Sequence, residues 1–191
     1  MSTVAADASR GGVTVRELRW SDFDPIREMY LLLYEERETN PEIGIHRFHA
    51  RPSYADEVAW FANLYRAVLA GDAVVSVGVA DGVVVGHCTV RRIEPGANSE
   101  TDHNGVLGIV VHRDYRSRGI GRAILADALR QCEGRFEVVR LSVFATNRRA
   151  RKLYEEFGFV HVGTFPRHVH RGDRYVDEEL MAKVLPGAPN R

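Results

Sequence analysis

Apolar and polar positions alternate from Val13 to Trp20, the period-two pattern of a half-buried strand. The period then lengthens to that of a helix. Ser21 or Asp22 reads as its cap, Pro25 fits its first turn, and Ile26, Met29, Tyr30, Leu33 and Tyr34 share one face. That helix should stop near Asn40-Pro41, because the residue before a proline avoids helical angles. After a loop rich in His, Arg and Pro, Ser53 caps a second helix. Its apolar stripe reads Val58, Phe61, Ala62, Tyr65 and Leu69, and Gly71 ends it.

Strand patterns follow. Ala73 to Ala80 and Val83 to Ile93 flank Asp81-Gly82, a type I′ hairpin signal. A turn-rich stretch, Glu94 to Asn104, leads to a third apolar run, Gly105 to His112. Then come a helix over 117–133, a strand over 138–144, a helix over 147–157, and strands over 159–165 and 175–185 with a polar turn between them. The order β-α-α-β-β-β-α-β-α-β-β predicts an α/β (α+β) fold: a mixed sheet of about seven strands with helices on both faces. Residues 13–185 read as one domain between a disordered N-terminal tail, 1–12, and a C-terminal tail, 186–191.

Composition changes this picture little. Over 191 residues, Lys plus Arg and Asp plus Glu number 26 each, so charge gives no reason to expect nucleic acid or a membrane surface as partner. No apolar run suits a membrane helix, and residues 1–12 lack the apolar segment of a secretory signal. Cys88 and Cys132 form neither a CxxC pair nor a metal spacing with His, so they read as small buried thiols and no metal is expected. These features together suggest a reducing cytoplasm.

The chemistry concentrates in Leu107 to Leu125. A buried strand ends in a polar turn, Arg116-Ser117-Arg118-Gly119-Ile120-Gly121, and a helix begins at once, with Ile120, Ile124, Leu125, Ala128 and Cys132 on one face. The first N–H groups of a helix lack internal partners and carry partial positive charge. Glycine at 119 and 121 clears the approach to those groups, so the turn suits a pyrophosphate, with Arg116, Arg118 and Arg122 able to add charge-assisted bonds. A plain tight turn is the bland alternative. The Walker pattern is absent because Arg122-Ala123 follows Gly121, and the dinucleotide fingerprint is absent because Ile124 stands where its third glycine belongs.

Arg116 to Gly121 matches the [QR]-x-x-G-x-[GA] signature of the GNAT superfamily of N-acetyltransferases. Ser142 to Asn147, with Ala150 and Leu153-Tyr154-Glu155-Glu156-Phe157-Gly158-Phe159, resembles that family's second signature. Tyr175 to Met181 resembles its last strand. The resemblance is close over 105–185 and rests on element order over 13–104. It implies a largely antiparallel sheet splayed in the middle, with a bulge near Ile109 to Val111, and acetyl-CoA as acetyl donor. The pantetheine arm would pair with the backbone of Ile109, Val110 and Val111. The pyrophosphate would sit on Arg116, Ser117, Arg118, Gly119, Ile120, Gly121 and Arg122. The Val111 N–H would stabilise the oxyanion, and Asn147, otherwise a helix cap, would touch the arm. Tyr154, otherwise a core aromatic, would be the general acid that protonates the departing thiolate.

The resemblance further implies direct transfer to a primary amine in a ternary complex, with no acyl-enzyme. A small amine, an amino-sugar drug, a peptide N-terminus and a lysine all stay open as acceptors. Relatives often carry a base on the central strand, but Leu107 and Gly105 stand there. His87, Glu100, Asp102 and His103 are nearby, and no base is assigned. Acceptor choice falls to 30–65, with acidic Glu35, Glu36, Glu38 and Glu42 beside Arg37, His46, Arg47, His49 and Arg51, and to 166–175, with basic Arg167 to Arg171. The two segments point to opposite charges. A non-catalytic acetyl-CoA-binding regulatory module is the rival reading. Relatives are often dimers, and an exposed closing strand would suit a homodimer.

Overall fold

A computed structural model describes residues 12–37, 39–40, 43, 51–93 and 99–187. Residues 1–11 and 188–191 of the tails, and Glu38, Glu42, His46, Arg47 and His49 of the acceptor segment, lie outside the described residues.

Strand β1 (Val13–Glu17) ends three residues earlier than the alternation suggests. The Arg16 guanidinium grips both Asp22 carboxylate oxygens at 2.7 Å, and the Arg19 N–H donates to the same carboxylate at 2.8 Å. The chain therefore wraps into a short 3-10 turn, Trp20–Asp22, before α1 (Phe23–Glu36). With its carboxylate so engaged, Asp22 does not cap α1 through its side chain, and neither does Ser21. Helix α2 (Tyr54–Ala70) opens on a reciprocal cap in which Ser53 Oγ accepts from Asp56 N–H and Asp56 Oδ2 accepts from Ser53 N–H. Gly71, at φ 81°, ends it in the left-handed conformation. Its buried stripe is Phe61, Leu64 and Ala67, rotated from the expected one, while Leu69 faces solvent. Apolar residues nearly ring this helix, so periodicity alone could not orient it.

The hairpin of β2 (Ala73–Ala80) and β3 (Val83–Arg92) turns at Asp81 and Gly82, both at positive φ as a type I′ turn requires. Then follow β4 (Asn104–Val111), α3 (Ile120–Cys132), β5 (Val138–Phe144), α4 (Arg148–Glu156), β6 (Val160–Arg171) and β7 (Arg174–Val184). The segment expected as an open turn, 166–175, is mostly strand. Pro166 cannot donate to the ladder, Arg167 takes φ 54°, and its N–H turns aside to Asp177 Oδ1 at 2.7 Å. The result is a register shift between Phe165 and Val169, and β6 resumes beyond it.

The seven strands form one sheet in the order β1-β2-β3-β4-β5-β7-β6. All neighbours are antiparallel except β4 and β5. Alternate residues of β2 feed two cores, as the pleat dictates. Val74 packs with Ile120, Ile124 and Leu125 of α3 on one face, and Val75 and Val77 pack with Ile26, Phe61 and Leu64 of α1 and α2 on the other. Each fully buried aliphatic here contributes about 1.5–3 kcal/mol.

The parallel pair β4–β5 is short. Register runs only from Asn104, Gly105 and Val106 to Val138, Val139 and Arg140. Beyond it the strands part, and β5 stays paired with β7 while β4 stays paired with β3. The expected splay is present. The expected bulge is not, because the β3–β4 register is unbroken from Gly105 to Val111.

Candidate active site

The gap between β4 and β5 exposes a particular set of peptide groups. His112 N–H donates to Val85 C=O at 2.8 Å, and Glu137 N–H donates to His103 C=O at 2.9 Å. In an antiparallel ladder, successive residues turn their N–H and C=O groups to opposite sides. Val110, opposite His87, therefore spends its peptide groups on β3, while Ile109 and Val111 turn theirs into the gap. By the same parity across β5 and β7, Ser142 turns its own toward them. Of the three residues expected to pair with pantetheine, the strand thus offers two. Val110 instead buries its side chain with Met29, Leu33 and Ile43 on the α1 face.

The turn beyond β4 leads directly into α3. Helix α3 begins at Ile120 rather than Ser117, because Ser117 (φ 67°) and Gly119 (φ 82°) are both left-handed. The first bond of the helix runs from Ala123 N–H to Gly119 C=O, so the N–H groups of Ile120, Gly121 and Arg122 precede it. Gly121 and Arg122 border a cleft of about 420 Å³ that also includes Ile109, Val111, Arg116, Ser117, Gly119 and Asn147.

The three arginines separate. Arg116 lines the cleft. Its guanidinium holds the Glu36 carboxylate at 2.5 and 2.7 Å, and its Nε donates to the Val111 carbonyl at 3.1 Å. These bonds, above all the hydrogen bonds from Arg116, hold the Glu36 carboxyl below its ordinary range. Arg118 lies over the Tyr115 ring at 5.2 Å, and Arg122 lines the cleft but pairs with Glu156. The cleft gains two cations that the motif did not indicate, Arg149 and Lys152 of α4. Arg149, Lys152 and Glu156 recur at i, i+3 and i+7 on the side of α4 that lines the cleft, a signal that projecting the helix would have revealed. Asn147 caps α4, its side-chain oxygen accepting from Ala150 N–H at 3.1 Å, and also lines the cleft.

A second cleft of about 220 Å³ continues the first on the α1 side. It shares Ile109, Val111, Arg116 and Asn147 and adds Leu33, Asn40, Ile43, Val110, Ser142 and Tyr154. Tyr154 is 6% exposed. Burial, reinforced by the nearby Cys88 thiol, holds its phenol protonated far above the ordinary range, so it can donate a hydrogen bond but not ionise. Both thiols are buried, burial pushing Cys132 up to about 12 and Cys88 well above its usual value. Neither is poised as a nucleophile.

The residues weighed as bases lie elsewhere. Glu100, Asp102 and His103 precede the far end of β4, seven residues or roughly 23 Å from Val111 at ~3.3 Å per residue. His87 faces Tyr30, ring to ring at 5.7 Å, and lines neither cleft. Burial lowers its pKa to about 4, and neither ring nitrogen has a partner among the described residues.

The sequence profile of the acetyltransferase (GNAT) family matches residues 15–159. The chain belongs to that family. Among curated proteins, it is 33% identical over 110 residues to the L-amino acid N-acetyltransferase AaaT of Escherichia coli strain K12. That match spans 56% of this chain and 66% of that protein, just under two thirds of its length. In fold it resembles an N-acetyltransferase from Staphylococcus aureus Mu50, with a TM-score of 0.76 at 18% identity over 90% of this chain and 98% of that one. It also resembles yncA from Salmonella typhimurium with its cofactor acetyl-CoA, with a TM-score of 0.76 at 18% identity over 93% of this chain and 96% of that one. As a GNAT family member, the chain places its family signature, Arg116 to Gly121, at the mouth of the splayed sheet.

Proposed function

We propose that the chain is an N-acetyltransferase that carries the acetyl group of acetyl-CoA directly to a primary amine in a ternary complex. The observation that carries this reading is a continuity. Gly121 and Arg122 in the first turn of α3 and the gap-facing strand residues Ile109 and Val111 border one cleft, and Tyr154 lies in its extension. The pyrophosphate would rest on the N–H groups of Ile120, Gly121 and Arg122, with Arg149 and Lys152 supplying the countercharge. Pantetheine would take the place of a strand between β4 and β5. The Val111 N–H, turned into the gap, would donate to the thioester oxygen and stabilise the oxyanion that forms on attack. Tyr154, held neutral by burial, would donate to the departing sulfur.

The second cleft, at about 220 Å³, is smaller than the ~300–1,000 Å³ of pockets for drug-sized ligands. That size favours a compact acceptor, and the printed name of the E. coli relative makes free L-amino acids the first amines to try. One observation favours the rival reading, a non-catalytic acetyl-CoA-binding module. Among its described lining residues the second cleft has no carboxylate and no imidazole to take the amine's proton. Thermal shifts with acetyl-CoA, NAD and ATP, followed by a thiol-release screen over L-amino acids, other small amines and peptides, test both. Stabilisation by acetyl-CoA with release of free CoA supports the enzyme. Stabilisation without release across the panel supports the module.

A further inference from the structure

An ammonium group cannot attack a thioester until it loses a proton, and the second cleft holds no first-contact base among its described residues. It does hold one hydroxyl that is wired to a carboxylate. Ser142 lines the cleft from β5, and its Oγ donates to Glu178 Oε1 of β7 at 2.7 Å. Glu178 is 3% exposed, and its other oxygen, Oε2, lies 3.3 Å from Nε2 of His168 on β6. The His168 side chain is 43% exposed, so the chain of groups runs from the cleft through a buried carboxylate to solvent.

We propose that Ser142, Glu178 and His168 form a proton relay that deprotonates the acceptor amine. The inference rests on the acetyltransferase reading above. The acceptor's N–H bond breaks as its proton passes to Ser142 Oγ, while the Ser142 hydroxyl proton passes to Glu178. The electron pair left on nitrogen attacks the thioester carbonyl. The Glu178 carboxyl then yields the proton to the His168 imidazole, which exchanges it with water. Ser142 touches the acceptor in this scheme. Glu178 and His168 are positioning residues that act through it.

The surroundings favour this route over the alternatives. Glu36 also stands one bond behind the cleft, through Asn40, but there Asn40 Nδ2 is the donor at 3.2 Å, and the carboxylate is held by the Arg116 guanidinium. An amide cannot pass a proton as a hydroxyl can, and a carboxylate stabilised in its charged form is a poor base. His87 does not line the cleft. Three strands pack about Glu178. From β5 it meets Ser142, with Phe144 as its register partner; from β6 it meets His168, while Arg171 covers the Phe144 ring at 5.1 Å. Its neighbours on β7 are engaged elsewhere, Asp177 by the Arg167 N–H at 2.7 Å and Glu179 by Arg151 at 3.0 Å.

The test is the pH dependence of kcat/KM for the amine in the full chain and in Glu178→Gln, followed by thiol release at saturating acetyl-CoA. At pH 7 the variant should lose ~10²-fold, the lower range of general-base contributions. That deficit should shrink below about 5-fold as the pH passes the acceptor's own pKa, where the free amine no longer needs a base. Affinity for acetyl-CoA and the melting midpoint should stay at wild-type values. Ser142→Ala should reproduce the same pH-shaped deficit, and carries the test if Glu178→Gln does not fold. A deficit of equal size at every pH, or none, overturns the relay while the acetyltransferase reading stands. Failure of the wild-type chain to release thiol with any amine overturns both.

Discussion

At Gly119 the backbone stands at φ 82°, and a Cβ added there would meet nothing within 4 Å. Space is therefore free and conformation is not. Gly119→Ala should cost about 1–2 kcal/mol of stability, the usual penalty for a side chain in the left-handed region, while keeping acetyl-CoA affinity near wild type. Gly119→Glu adds the same strain and also puts a carboxylate where the pyrophosphate would rest. It should weaken acetyl-CoA binding by more than ~10²-fold, since one like-charge contact in a partly buried site is worth several kcal/mol. Calorimetric titration of both variants separates strain from charge, and equal affinities would overturn the placement of the anion. His87 supports a prediction of another kind. Its pKa falls from 6.5 to about 4 on burial, so the unfolded chain binds the extra proton between those values. Stability is full above pH 6.5 and should decline by about 1.4 kcal/mol per pH unit below it, some 3 kcal/mol in all by pH 4. Urea unfolding at pH 7 and pH 5 measures this, and His87→Leu should flatten the dependence.

Among the elements, α1 is fastened to the turn after β4 by the Arg116–Glu36 pair. The same guanidinium, expected to serve the pyrophosphate, lines the cleft while it holds the Glu36 carboxylate. The signature positions are as expected. What the residue type could not disclose is which acid lies within reach, because the partner is 80 residues away in sequence. Arg116→Ala should cost about 1–3 kcal/mol, as a lost charge-assisted hydrogen-bond pair does, and lower the melting midpoint by about 2–10 °C for a chain of this size. Acetyl-CoA affinity should change little. A large loss of affinity with an unchanged melting point would assign the arginine to the phosphate instead. Other elements were legible for local reasons. The Ser53–Asp56 cap and the Asp81-Gly82 turn depend only on neighbours within a few residues. The facing of α2 was not legible, since either side of an almost wholly apolar helix could meet the sheet.

Across the whole molecule, the splay divides the sheet into β1–β4 and β5–β7, joined by the three-residue register of β4 with β5. A ligand that pairs with both lips of the gap would act as a missing strand. At 100 times its Kd, acetyl-CoA should then add about 2.7 kcal/mol of stability, or roughly 5–10 °C in melting midpoint. Amide exchange reports more closely. The amides of Ile109 and Val111 should exchange faster than that of Val110 in the free protein and slow on adding acetyl-CoA. Val110, already bonded to β3, should change least. Equal protection of all three without ligand would contradict the parity argued from the ladder.

Sequence by itself determined the order of strands and helices, the hairpin, the cap of α2 and the glycine turn before α3, because each is written in short-range periodicity and turn chemistry. It also sufficed for the family, since the signature residues are contiguous. Tertiary structure alone decided which peptide groups face the gap, what Arg116 holds, and that Ser142 meets Glu178. Those facts follow from strand order and register, with β7 inserted between β5 and β6. Pairing across a sheet is set by the packing of both faces together, and no local pattern records it.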